Sequence, residues 1–169
     1  EKTDDYWVKL EGARRTCFRA VSIAGARDPV MIARVAGTLD AVRRQVMKLS
    51  RAAAGGGRVM FHVYGKNGVM GASEPEKSSK PHEIGIVIEA LGNTQVQADM
   101  LCSLTRSTLL HYGYPGRIST AGNLAMLFSP SDIAMGAVYE FAVYHLMKLD
   151  DPAGFPLEIE KVAGGRRRA

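Results

Sequence analysis

Cysteine and tryptophan are almost missing from this chain, which has two of the first and one of the second in 169 residues. Cys17 and Cys102 stand in neither a Cys-x-x-Cys nor a Cys/His spacing, so a disulfide scaffold and the common zinc and redox motifs are excluded. Both lie in apolar segments and read as buried free thiols of a reducing compartment. No apolar run approaches the roughly 20 residues needed to cross a bilayer, and the first residues contain no signal-peptide apolar region. A cytoplasmic protein that makes no membrane contact is expected. The glycine-rich segments match neither G-x-x-x-x-G-K-[ST] nor G-x-G-x-x-G, so there is no nucleotide signature. His62, His82, His111 and His145 have no metal-ligand spacing among themselves, so no metal is predicted and no cofactor is named.

Basic charge is also scarcer than the total suggests. Of the net +5, three charges come from Arg166, Arg167 and Arg168 in the tail. No internal segment gathers Lys and Arg with stacking aromatics, which argues against a nucleic-acid face. At 46% hydrophobic residues the chain can bury one continuous core.

The hydrophobic pattern alternates between two periods. Tyr6 to Leu10 and Thr16 to Ile23 alternate as strands, with Gly12 read as a turn between them. Asp28 and Pro29 then look like an N-cap and first helical residue. Met31, Ile32, Val35, Leu39, Val42, Val46 and Leu49 follow at helical spacing, predicting a helix of about five turns that stops at AAAGGG. RVMFHVYGK is strand-like, and GKNGVMGASEPEKSSKP forms a long hydrophilic, mobile loop. HEIGIVIEALG is a strand with Ile84, Ile86 and Ile88 on one face. Thr94 caps a second helix through Val96, Met100, Leu101, Leu104, Leu109 and Leu110 to Gly113. AVYEFAVYHLMKL reads as a last strand.

The fold class expected is therefore α+β: a largely antiparallel or mixed sheet with two long amphipathic helices on one face. A faint strand–helix–strand echo would arise from a duplicated split βαβ arrangement. Residues 1–152 form a single domain and 153–169 an irregular basic tail.

Three constellations carry side chains that could do chemistry. In GYPGRISTAGNLAMLFSPSD, glycine and proline account for turning, but Arg117, Asn123, Ser129, Ser131 and Asp132 are not needed for it. Such groups beside the apolar NLAMLF suit the wall of a small-ligand pocket, against the alternative of a purely structural turn. In AGARDP, Asp28 caps the helix while Arg27 and nearby backbone N–H groups suit an anion. In YGKNGVMGASEPEK, Asn67 and Glu74 sit on a loop that reads either as a lid or as a solvated hairpin connection. His111 ends the second helix beside the polar run, where it either moves a proton or stabilises the helix C-terminus.

The segments FRAVSIAGARDPVMIARV, VYGKNGVMG, HEIGIVIEALGNTQ and the long block from LTRSTLLHYGYPGRISTAGN to HLMKLDDP resemble the C-terminal portion of the acyclic terpene utilisation (AtuA) family, from about Val8 to Pro152. Members of that family are larger, with an N-terminal region that has no counterpart here. The chain opens at Glu1 rather than methionine, so the resemblance implies a C-terminal portion or a separately encoded subunit. It also implies catabolism of branched terpenoid acids and related carboxylic or CoA-linked compounds, without an established set of catalytic residues.

Two functions are therefore expected. The first is an enzyme component, a lyase, hydratase or isomerase acting on a small carboxylate or acyl-CoA by proton transfer. Asp132, Glu74 or His111 would move the proton, and Arg27, Asn67, Arg117, Asn123 and Ser131 would hold the substrate. The second is a non-catalytic subunit or assembly domain that docks an apolar sheet face onto a larger N-terminal region or partner subunit. Either form is expected to be oligomeric.

Overall fold

The computed structural model describes residues 5–54, 56–151, 153, 154 and 156–160, with the backbone alone at 52–54. Asp28 turns the chain from its first strand into its first helix. Its carboxylate accepts a hydrogen bond from the Val30 N–H at 2.9 Å, satisfying one of the donors a helix leaves free at its start. Pro29, which has no N–H to satisfy, is the first helical residue. The helix that follows, α1 (Pro29–Ala54), is 26 residues long, about two turns longer than its sequence suggests. It continues through Gly37, where an added Cβ would meet nothing within 4 Å.

The described residues also form five strands and a second α-helix: β1 (Tyr6–Ala26), β2 (Arg58–Tyr64), β3 (Ile84–Gly92), α2 (Gln95–His111), β4 (Ala125–Met126) and β5 (Asp132–Leu149). The sheet order is β2-β3-β1-β4, with β5 also pairing β1. β3 runs antiparallel to β1, with Ser22 opposite Ile88, and antiparallel to β2, with Phe61 opposite Ile88. The fold is α+β with an antiparallel sheet, and its element order and strand adjacency are those of a split βαβ arrangement.

Strand alternation selects the buried face. Ile84, Ile86 and Ile88 are at most 2% exposed and meet Ala20 and Ala24 of β1 and Val59 of β2. Met31, Ile32, Val35, Leu39, Val42 and Val46 of α1 close over them, together with Ala98, Leu101, Cys102 and Leu109 of α2. Thr94 caps α2, its hydroxyl accepting from the Gln97 N–H at 3.1 Å. Both helices thus cover one face. On the other, Val21, Ile23, Val87 and Glu89 are only partly buried.

Three sequence expectations change. Leu49, Val96 and Met100 are exposed rather than buried, because their helical phase carries them off the stripe that faces the sheet. The two strands expected around Gly12 are one strand, β1. Gly12 does not turn the chain; a Cβ there would lie 3.4 Å from the Cβ of Val143, so the glycine admits a close neighbour across the sheet. Of the tail, the described residues 153, 154 and 156–160 belong to neither helix nor strand, and the arginine cluster lies outside the described residues.

By contacts the chain divides into two compact units. Arg15–Tyr139 form the larger, which holds the helices and the core. The second consists of the segments that end at Arg14 and begin at Glu140. In it β1 and β5 form an antiparallel ribbon: Arg14 pairs with Glu140, and Lys148 with Asp5, so rising numbers on one strand meet falling numbers on the other.

Candidate functional site

Two of the three polar constellations meet at the start of α1, inside the larger unit. The peptide N–H groups of Arg27 and Asp28 both donate to the carbonyl of Gly122, at 2.8 and 2.9 Å. This clamps the turn after α2 to the junction of β1 and α1. Beside it, Asp28 Oδ2 accepts from the Tyr114 hydroxyl at 2.7 Å and from Asn123 Nδ2 at 2.7 Å. Asn123 Nδ2 also donates to Tyr114 Oη at 2.9 Å, and its Oδ1 accepts from the Thr120 N–H at 2.8 Å. Asn123, 5% exposed, therefore spends both its amide nitrogen and its amide oxygen within the fold.

The electrostatics follow from that closure. The Tyr114 hydroxyl, with backbone and Asn123 donors behind it, holds the Asp28 carboxyl below its ordinary value. Burial, reinforced by the hydrogen bond to Asp28, pushes the Tyr114 phenol up to about 12. With Asp28 occupying the first-turn donors, an anion at this point would have to rely on the exposed Arg27 side chain, which has no partner among the described residues. A cavity of about 440 Å³, lined by Arg27, Asp28, Val30, Ile118 and Thr120, opens there.

The other residues of the polar run point to different tasks. Arg117 donates to the carbonyl of Leu110 at 3.1 Å and so ties down the last turn of α2. Asp132 is held by Arg106 in a two-point ion pair, Nε to Oδ1 at 2.7 Å and Nη2 to Oδ2 at 3.0 Å. That bond raises the Arg106 pKa. Cys102, buried nearby, is pushed up to about 12 first by desolvation and then by the Asp132 charge. Ser131 offers its carbonyl to the buried Ser22 hydroxyl at 2.9 Å. His111 is exposed at the end of α2.

The glycine-rich loop forms a second concavity against α1. Three features force its tight turn: Gly65 with φ 87°, Asn67 with φ 60°, and Gly68, whose added Cβ would come within 2.7 Å of the Val63 carbonyl oxygen. Lys66 reaches back to the Ile32 carbonyl at 3.2 Å. The resulting cavity, about 650 Å³, has Ala33 and Ala36 on one side and Lys66, Asn67, Glu74 and Lys77 on the other. Asn67 and Glu74 therefore share a site, whereas Asp132, Glu74 and His111 make no hydrogen bond or ion pair with one another among the described residues. Sequence reasoning missed Tyr114, Arg106 and Lys66 as organising groups. Tyr114 lay within the polar run, but its partner Asp28 is 86 residues away.

On the open sheet face, Glu89, 13% exposed, lies between Arg19 and His62. His62 Nε2 is 2.7 Å from Oε2. Arg19 Nε lies 2.6 Å from Oε1 as an ion pair, without the alignment of a hydrogen bond. No group of three His, Cys, Asp or Glu side chains gathers as metal ligands among the described residues.

The ribbon unit has a different surface. Tyr6 (53%), Trp7 (57%), Phe141 (75%) and Tyr144 (71%) are exposed, as are Val143 and Leu146. It carries three ion pairs: Lys9 with Glu11 at 2.6 Å, Arg14 with Glu140 at 2.7 Å and Lys148 with Asp5 at 2.7 Å. The Lys9 ammonium also sits 4.8 Å from the centre of the Tyr144 ring.

No protein-family model, no curated protein and no solved structure matches this chain. Among the described residues, no helix is long and apolar enough to cross a membrane.

Proposed function

We propose that this chain is an assembly domain whose β1–β5 ribbon docks onto another protein chain. The observation that carries this reading is the set of four aromatic side chains, each more than half exposed, on a two-stranded ribbon. Two strands alone are marginal in water, and a clustered apolar surface of this kind marks an interaction site. The polar groups at the start of α1 support the same reading, since Asp28, Asn123 and Tyr114 spend their hydrogen bonds on one another. The resemblance to the acyclic terpene utilisation family adds a larger N-terminal region or subunit as a partner. The proposed setting is the cytoplasm, supported by two free thiols.

Stability against association tests this reading. Phe141→Ser and Tyr144→Ser change the unfolding free energy by less than about 0.5 kcal/mol, as surface substitutions do, while abolishing association. A loss of about 3 kcal/mol or more, typical of a removed core aromatic, would mean that these rings serve internal packing and would sink the proposal.

A second reading, an enzyme component for a small carboxylate or its CoA ester, is favoured by the cavity beside Lys66 and Asn67. Lys66 and Asn67 would hold the acid and Glu74 would move a proton in lyase, hydratase or isomerase chemistry. Calorimetric titration with short branched carboxylates and their CoA esters tests it. Binding lost in Lys66→Met supports it, and no heat with any of them rejects it.

A further inference from the structure

We infer that the cavity between α1 and the glycine-rich loop takes a small zwitterion, a free amino acid with an apolar side chain. The inference rests on the second reading above and names the other charged group of its ligand. It keeps Lys66 and Asn67 on the carboxylate and gives Glu74 an ammonium group to hold. Lys66 and Glu74 line the same cavity and both are partly buried, yet no ion pair joins them among the described residues. Each is held instead by backbone. The Lys66 ammonium donates to the Ile32 carbonyl at 3.2 Å and keeps two protons to give. Glu74 Oε1 accepts from the Glu76 N–H at 3.0 Å, while Oε2 has no partner among the described residues. Two anchored groups of opposite sign that line one space without meeting leave room for a ligand bearing the complementary pair.

Charge selects between a zwitterion and either of its fragments. The lining carries two ammonium groups, Lys66 and Lys77, and two carboxylates, Glu74 and Glu76, so its charges cancel. A simple acid would bring its charge against Glu74 and Glu76, and a simple amine would meet Lys66 and Lys77, each a like-charge contact. A zwitterion avoids both. Glu76 and Lys77 are exposed and screened by water, and Glu76 Oε1 already accepts from the Ser78 N–H at 2.6 Å. The partly buried Lys66 and Glu74 therefore hold the ligand. The facing wall selects its body. Ala33 and Ala36 are short side chains on α1, and with Val63 and Val69 they leave an apolar recess. At about 650 Å³ the cavity is within the range of small-molecule sites and has room for an amino acid.

The test is calorimetric titration of the whole chain at neutral pH with leucine and with its two fragments: isocaproate, which lacks the amine, and isoamylamine, which lacks the acid. Leucine is expected to bind at least tenfold tighter than either. Glu74→Gln lowers its affinity at least tenfold and leaves isocaproate binding unchanged or tighter, whereas Lys66→Met weakens both. Ala36→Leu fills the recess from an exposed helix position and abolishes leucine binding with the fold retained, checked by circular dichroism. Isocaproate bound within threefold of leucine, and lost in Lys66→Met, overturns the zwitterion and leaves the acid reading standing. Isoamylamine bound within threefold of leucine overturns both. No heat from leucine overturns the inference, and the acid reading falls with it when the acids and CoA esters named above are silent too. Leucine binding indifferent to Glu74→Gln and Ala36→Leu overturns this cavity as its site.

Discussion

Replacing Tyr114 with Phe removes one oxygen and tests the closed network at the start of α1. The hydroxyl donates to a carboxylate 2.7 Å away, and hydrogen bonds to charged groups contribute about 1.5–3 kcal/mol. Asn123 Nδ2 loses one acceptor but keeps Asp28 Oδ2, so no buried donor is stranded. A loss of about 2 kcal/mol at neutral pH is expected, measured by urea unfolding at a fixed protein concentration because association adds to apparent stability. The pH dependence carries a sign. Asp28 is held below 3.8, so its contribution is complete above that value and is lost as pH falls through the lower folded value. Tyr114→Phe removes the largest cause of the lowering, so the variant loses less stability than the wild type on acidification. The two curves converge below pH 3.8. Equal losses at pH 7 and in acid, or a neutral-pH loss below about 0.5 kcal/mol, would refute the role given to this bond.

Other outcomes follow from local geometry. In Tyr114→Phe, the phenol that titrates at about 12 disappears from the ultraviolet titration of the tyrosines. Gly37→Ala stabilises the chain by about 0.5–1 kcal/mol, since its Cβ meets open space in a helix interior. Gly92→Ala costs about 1–3 kcal/mol, because its Cβ would lie 2.7 Å from the Ala98 nitrogen where β3 meets α2; denaturant midpoints report both substitutions. Cys102, buried and held as a thiol, resists alkylation at pH 8 in the native protein, and mass mapping finds label at the half-buried Cys17 first.

What the sequence revealed was local. Asp28 with Pro29, and Thr94 three residues before Gln97, are caps that act within one turn, so both helix starts could be read directly. Ile84, Ile86 and Ile88 show the strand period without help from elsewhere. Gly12 misled because its neighbour, Val143, is distant in sequence and a glycine that admits such a neighbour looks like one that turns. Val96 and Met100 are apolar but fall off the buried stripe, which only the position of the sheet defines. At the candidate site, Asn67 and Glu74 came together because one loop carries them seven residues apart. Asp28, Tyr114 and Asn123 required the whole domain between them to fold. Arg106 was concealed inside an amphipathic helix, and nothing near it in sequence announced Asp132 as its partner. The aromatic content of β5 was plain, but its exposure depends on which strands flank it.

Trp7 is the chain's single tryptophan and lies on the ribbon, 57% exposed, so its emission reports directly on whether that surface is a docking site. The most direct measurement is acrylamide quenching of Trp7 in the dilute single chain and in the assembled complex. The account predicts long-wavelength, readily quenched emission in the dilute chain, shifting to shorter wavelength and losing quencher access as the ribbon is covered. Emission already shielded in the dilute single chain would mean that the chain covers its own ribbon and would contradict the account.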